Sequence, residues 1–416
     1  MLLKPVYAKE ERPHGGEADG LYILDNVRDA LPELLEEYAG KVQTVYIDPP
    51  FASGYTYRMR VCASPEDWKK GVGSLVQDAY TDPADLDSAE AVLRMMVEGA
   101  KELLCDTGMI FVHVDWRLSG RTRRLLDELF GEDHILNEII WSYQTGGRAK
   151  KYFSRKHDSI FMYRKGDEYN FHIENVAVKR EGARRNHMRR QVDADGRTFR
   201  TIKSGGKVYT YYDDEPAYPG DVWDDLQMQQ KDPQRTGYDT QKPLRLLERV
   251  ILCSTDEGDL VADLCSGSGT TLEAAWRCGR SFLGVDSSPM ALLSTRRRMQ
   301  GCAMQIRAEA DMDAPELDAK LIAKGISDIE VRIAGLGEKE GDEVQGLNRI
   351  DGWAIGYIRG GVFEAMNQMQ RTRMKPEIDF QMAVPVLEGE LAVRINDVYG
   401  KTSYYILDRS KVEYEV

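Results

Sequence analysis

The sequence predicts an α/β protein on a doubly wound, mostly parallel, Rossmann-like sheet, with a basic insertion and a small β-rich C-terminal domain. Two observations carry this. Short apolar runs alternate with amphipathic stretches of about ten residues or more, the pattern of strand–helix–strand units. In addition, two chemically distinctive loops, Asp48-Pro49-Pro50-Phe51 and Asp263-Leu264-Cys265-Ser266-Gly267-Ser268-Gly269, each follow an apolar run. A parallel sheet brings such loops together at one edge, where the carboxyl ends of its strands converge.

Taken in order, Leu21–Leu24 reads as a buried strand ending at Asp25, with a helix over about Val27–Tyr38. Val42–Ile47 is a second strand, stopped by Pro49 and Pro50, which cannot continue a central ladder. The polar stretch Ala52–Pro83 reads as a loop with one helical turn. From Asp85 to Cys105 the spacing of Ala89, Val92, Leu93, Met96, Ala100 and Leu103 is helical. Met109–Val114 is a strand and Leu118–Phe130 a helix, and Ile139–Tyr143 and Ile160–Tyr163 are strands around a Gly-, Lys- and Arg-rich loop. Periodicity is weak from Asp167 to Arg235. Helices then follow at Pro243–Ser254, Thr270–Cys278 and from Pro289, with strands at Leu260–Leu264 and Ser281–Val285. Past Gly325, short apolar runs alternate with Gly and charged turns. The implied organisation is a first half-domain over 1–166, a basic insertion over 167–235, a second half-domain over 236–324 and a β-rich domain over 325–416.

A chain of 416 residues, 42% hydrophobic and 30% charged, has room for one large domain and a smaller one. It holds no run near the roughly 18 apolar residues of a membrane helix, and its first residues show no signal-peptide pattern. Six scattered cysteines without a C-x-x-C pair argue against a zinc site or a disulfide framework and point to the reducing cytoplasm. The net charge of −13 is unevenly spread: Gly147–Lys207 holds 17 Lys+Arg against 7 Asp+Glu, leaving 39 basic and 62 acidic groups elsewhere. Phosphate contact depends on the local field, so this segment suits a nucleic acid despite the acidic total. Lys150, Lys151, Arg184, Arg185, Arg189 and Arg190 are its candidate contacts.

The glycine loop lets a ligand approach the backbone, and the helix beginning at Thr270 offers free N–H groups. Asp286, at the end of the next strand, can accept hydrogen bonds from ribose hydroxyls. Leu272 stands where a dinucleotide fingerprint has its third glycine, which disfavours NAD. Asp48-Pro49-Pro50-Phe51 is more specific. Consecutive prolines fix the backbone so that the Asp48 carboxylate and the Pro49 carbonyl can converge as acceptors, the arrangement an exocyclic NH₂ group needs. Phe51 offers a face on which an extruded base can stack.

Together these motifs resemble the β class of bacterial DNA amino-methyltransferases, in which the catalytic segment precedes the cofactor loop. The likeness spans roughly Gly20–Met299 and includes Asp25-Asn26-Val27 with Leu31, VYIDPPFASG from Val45, FVHVDWR from Phe111, KHDSIFMYRK from Lys156 and YDTQKPLRLL from Tyr238. It implies S-adenosylmethionine as cofactor, held by Asp263, Gly267, Gly269, Thr270 and Asp286, with Asp25 near the adenine and Thr240 and Lys242 near the carboxylate. Cys265 stands where the family usually has Phe, which makes the wall beside the methionine end smaller. The implied activity is methylation of adenine N6 in double-stranded DNA, since Ser in place of Asp48 would favour cytosine N4 and Asn would favour glutamine in protein. N4-cytosine methylation and a catalytically silent DNA-binding relative are the alternatives. The resemblance also allows a homodimer and a partner restriction endonuclease.

Overall fold

The computed structural model describes residues 1–144, 149–179, 189–229, 231–325, 327–372 and 374–414. Fourteen strands form one continuous sheet: β1 (Glu10–Pro13), β2 (Gly20–Leu24), β3 (Val42–Ile47), β4 (Leu104–Val114), β5 (Ile135–Ser142), β6 (His157–Arg164), β7 (Val222–Trp223), β8 (Leu260–Asp263), β9 (Ser281–Asp286), β10 (Met304–Arg307), β11 (Ile350–Arg359), β12 (Val362–Gln370), β13 (Glu390–Asp397) and β14 (Thr402–Ile406). Their spatial order is β7-β5-β6-β4-β3-β8-β9-β2-β10-β1-β12-β11-β13-β14.

The six strands β4-β3-β8-β9-β2-β10 are mutually parallel. On one flank β6 runs antiparallel to β4 and β5 to β6, and on the other β10 meets β1 antiparallel. Strands β11 to β14 are antiparallel to one another wherever they pair. The whole sheet is therefore mixed, not mostly parallel. A buried strand reads as an apolar run whichever way it points, so polarity on the flanks is invisible in periodicity.

Helices cover both faces of the parallel centre. On one side α1 (Val27–Tyr38), α2 (Leu86–Leu103) and α3 (Ser119–Phe130) pack through Leu31, Leu93 and Leu125 onto Val45, Ile110 and Leu283. On the other, α4 (Leu244–Ser254) and α5 (Thr270–Arg277) pack through Leu247 and Leu272 onto Tyr46, Phe111 and Phe282, with α6 (Pro289–Arg298) beside them. The period-two alternation of each strand thus feeds two cores. Asn26 caps α1 by accepting from the Arg28 amide, and Asp85 caps α2 through Ser88.

Three features differ from the sequence reading. The stretch Ala52–Pro83 contains an antiparallel hairpin, Thr56–Val61 with Leu75–Thr81, as well as the short helix Pro65–Lys70. The hairpin buries Met59, Val61 and Leu75. The segment 189–212 forms its own three-stranded antiparallel sheet, Arg190–Val192, Thr198–Ser204 and Lys207–Tyr212. The segment past Gly325 divides between two sheets. Part extends the central sheet through β1 and part joins a second sheet of Leu317–Lys324, Asp328–Leu336 and Gln381–Pro385. Trp353, Ile355 and Val393 fill the space between the two. Buried Glu11 on β1 pairs with Arg296 of α6 and Arg394 of β13, tying this region to the parallel centre.

Candidate active site

The carboxyl ends of β3, β8 and β9 surround a cavity of about 600 Å³. Asp25, Asp48, Pro50, Thr240, Lys242, Asp263, Cys265, Gly267, Thr270 and Asp286 line it, so most of the sequence-predicted site residues meet here. Pro49, Phe51 and Gly269 do not line it.

Within the glycine loop, Gly267 N donates to Asp286 Oδ2 at 2.8 Å and Cys265 N to Asp263 Oδ1 at 3.1 Å. Ser288 N donates to the other Asp286 oxygen at 2.8 Å. Gly269 has another reason to be glycine: its φ is +77°, and a Cβ there would lie 2.4 Å from Thr295 Oγ1 of α6. Its role in this geometry is close helix packing. Burial pushes the Asp263 carboxyl up to about 7, and neighbouring Asp48 and Asp286 add to the rise. Burial likewise pushes the Cys265 thiol well up, and the neighbouring Asp263 and Asp48 carboxylates add to the rise.

The Asp48–Phe51 loop is held from outside itself. Ala52 has a φ of +56°, in the left-handed region that a non-glycine residue occupies at a cost. Asp82, buried just past the hairpin, accepts from Phe51 N at 3.2 Å, Ser53 N at 3.0 Å and Ser53 Oγ at 2.5 Å. These three bonds fix the turn around Ala52. Asp82 was not found from sequence, where it reads as a loop aspartate before Pro83. The period-two spacing of Tyr57, Met59 and Val61 was the available signal for the hairpin that leads to it.

Lys242 Nζ is hydrogen bonded to Asp48 Oδ2 and lies 5.4 Å from the centre of the Phe51 ring. The sequence reading seats this lysine against a cofactor carboxylate; the structure gives it Asp48 as its partner. Asp48 Oδ1 is buried and has no hydrogen-bond partner. A buried acceptor left unpaired is costly, so this oxygen is ready for a donor that arrives with a ligand.

Behind the loop runs a buried polar chain. Tyr46 OH lies 2.7 Å from His113 Nδ1, His113 Nε2 lies 3.2 Å from Asp158 Oδ2, and Tyr143 OH donates to Asp158 Oδ1 at 3.1 Å. The His113 ring centre is 6.2 Å from that of Phe51. Burial alone would raise the Asp158 carboxyl, but His113 holds it below the usual range. This chain links the FVHVDWR and KHDSIFMYRK segments to the catalytic loop.

The candidate DNA contacts lie apart from the cavity. Lys150 and Lys151 are exposed on the loop before β6, and Arg189 is exposed. Arg190 pairs with Asp213 at 3.4 Å, an exposed bridge of little strength. Arg184 and Arg185 lie outside the described residues. Among the described residues no cluster of three His, Cys, Asp or Glu side chains is arranged to hold a metal, and no helix is long and apolar enough to cross a membrane.

With the geometry in place, the chain was compared with known proteins. The family model described as DNA methylase matches residues 42–295, which takes in both loops and everything between them. The chain belongs to the DNA methylase family. It is a site-specific DNA amino-methyltransferase with S-adenosylmethionine as its cofactor. The type II methyltransferase M.EcaI of Enterobacter cloacae is 26% identical to it over 320 residues, covering 65% of this chain and 67% of the relative. DNA adenine methyltransferase YhdJ of Escherichia coli (strain K12) is 28% identical over 274 residues, covering 65% and 80%. The type II methyltransferase M2.LlaDCHI of Lactococcus lactis subsp. cremoris is 29% identical over 312 residues, covering 72% and 93%.

The methylase cavity suits its cofactor by charge. Asp25, Asp29 and Asp48 line it together with the buried Asp263 and Asp286, whose carboxyls are raised, against Arg28 and Lys242 among the described residues. S-Adenosylmethionine is a net cation, so an acidic recess complements it.

Proposed function

We propose that this methylase acts on the N6 amino group of adenine in double-stranded DNA, with Asp48 as the residue that holds that group. The observation that carries the reading is the Asp48 carboxylate, with one oxygen tied to Lys242 and the other buried and unpartnered beside the cavity. Asp rather than Ser at this position favours adenine over cytosine, and the similarity to a relative named as an adenine methyltransferase supports the same choice.

S-Adenosylmethionine bound in the cavity supplies a methyl group on a positively charged sulfur. The amine's lone pair is conjugated into the ring. Asp48 Oδ1 accepts one N–H and the Pro49 carbonyl the other, which turns the lone pair out of the ring plane towards the methyl carbon. When bound, the cofactor would supply an electrophilic methyl group and keep the carbon–sulfur electron pair, and the proton released by the methylated amine would pass by way of the Asp48 carboxylate to solvent. The developing positive charge on nitrogen faces the Asp48 carboxylate, so electrostatic stabilisation and positioning supply the acceleration. Phe51, near both His113 and Lys242, would stack against the extruded base. Lys242 keeps Asp48 oriented. Asp25 and Asp286 would hold the nucleoside end of the cofactor, and Asp263 would help hold it, with Thr240 near its carboxylate.

On this reading Lys150, Lys151 and Arg189 track phosphates, the chain acts in the cytoplasm, and a restriction endonuclease is its natural partner. Expression in a host free of DNA methylation, followed by nucleoside analysis and single-molecule sequencing, tests the base. N6-methyladenine at one recurring sequence is expected; N4-methylcytosine would overturn the adenine assignment.

A further inference from the structure

One apolar side chain near the site remains unexplained by the chemistry above. Phe153 is 98% exposed. It sits at the tip of the loop preceding β6, and strand register places that loop at the catalytic edge. Val114 at the carboxyl end of β4 is opposite Ser159 near the start of β6, and β4 lies beside β3 with Val112 opposite Ile47. The loop therefore emerges at the edge of the sheet that carries Asp48.

The described part of the loop, Ala149–Lys156, is held at several points. At its base Tyr143 N donates to Lys156 O at 2.9 Å, and near the tip Ala149 N donates to Ser154 Oγ at 3.0 Å. The Arg155 guanidinium lies 3.6 Å from the centre of the Trp116 ring and 4.8 Å from that of Tyr152. Both rings are themselves largely exposed. Cation–π stacking of this kind stiffens the tip and leaves the guanidinium charge in place. Lys150 and Lys151 flank it, exposed and in no ion pair with a described carboxylate. A positively charged segment carrying a bare aromatic ring complements a duplex: the cations meet phosphates and the ring meets a base step.

We infer that the segment Ala149–Lys156 enters the duplex at the target site and that Phe153 fills the gap left when the target nucleotide swings out. Asp48 lies in a recess that a stacked base cannot reach, so extrusion is required and the vacated step loses its stacking partners. Phe153 replaces them, stacking on the neighbouring base pairs while Lys150 and Lys151 hold the backbone. The inference rests on the reading of Asp48 as the residue that receives the extruded amine.

The test uses the full chain and two synthetic duplexes carrying the mapped target sequence. In one the target base is normally paired; in the other an abasic position stands opposite it, so extrusion breaks no pair. Phe153→Ala should lower kcat/KM on the paired duplex by roughly 10- to 100-fold, the worth of one base–aromatic stack, and Phe153→Trp should stay within about threefold of the parent. On the abasic duplex the Phe153→Ala deficit should shrink to under about threefold, with cofactor affinity unchanged throughout. Parent-like turnover by Phe153→Ala on the paired duplex overturns the inference, and so does an equal loss on both duplexes. Failure of the unmodified protein to methylate either duplex would instead count against the function itself.

Discussion

The two loops that meet at the cavity are held in place in opposite ways. In the cofactor loop the anchoring bonds run to the loop itself, to the end of the next strand and to the helix that follows it: Cys265 to Asp263, Gly267 to Asp286, and Ser294 Oγ to the Ser268 carbonyl. The catalytic loop has no such local support. Its turn at Ala52 sits in a costly backbone region and is fixed by Asp82, while its reactive carboxylate is fixed by Lys242, 194 residues further on. A recess for a bound cofactor can be built from one βαβ unit. Aiming a carboxylate at an amine that enters only during turnover draws support from two separate segments, those of Asp82 and Lys242.

That contrast predicts that damage to the catalytic loop separates methyl transfer from cofactor binding. Asp48→Ala is expected to have the largest effect, lowering the methyl-transfer rate by at least ~10²–10³-fold, as when an electrostatic partner of a transition state is removed. Calorimetry should show nearly unchanged S-adenosylmethionine affinity, and a parallel loss of affinity would place Asp48 in the cofactor site. Lys242→Met should come next, with turnover reduced by about 10-fold because Asp48 loses its counter-charge. Cofactor affinity again decides: a drop larger than the drop in rate would return Lys242 to the cofactor's carboxylate.

The cofactor loop offers the smallest effect, visible through pH. Burial raises the Asp263 carboxyl to about 7, above its ordinary value of 3.8. A group whose folded value is raised contributes stability that is fully present below the unfolded value and lost as pH rises through the folded one. The Tm of the cofactor-free protein should therefore fall between about pH 4 and pH 7, and Asp263→Asn should flatten that part of the curve. A slope unchanged by the substitution would show that Asp263 is charged throughout.

How much of this could be read in the sequence follows the same division. The glycine loop and Asp48-Pro49-Pro50-Phe51 are local patterns, and the structure gathers them at one edge. The helices facing the parallel core were visible because 3.6-residue periodicity is a property of the segment itself. What escaped depends on partners distant along the chain. Strand direction on the flanks leaves no mark on an apolar run. Lys242 carries no sign of whether it meets Asp48 or a ligand. Asp82 looks like any turn aspartate until the hairpin before it folds. That hairpin does leave a local mark, since Tyr57, Met59 and Val61 alternate within an otherwise polar stretch. Gly269 reads in the sequence as a cofactor-holding glycine, whereas what demands glycine there in the structure is Thr295 of α6, which no local pattern reveals.

The central claim is that the catalytic turn is held by Asp82, and single-turnover methyl transfer by Asp82→Ala tests it most directly when cofactor affinity is measured on the same preparation. The account predicts a rate about 10- to 100-fold lower with affinity unchanged, and partial recovery when Ala52→Gly is added, because glycine adopts the left-handed turn without the clamp. A parent-like rate for Asp82→Ala, or a loss that Ala52→Gly leaves untouched, would contradict it.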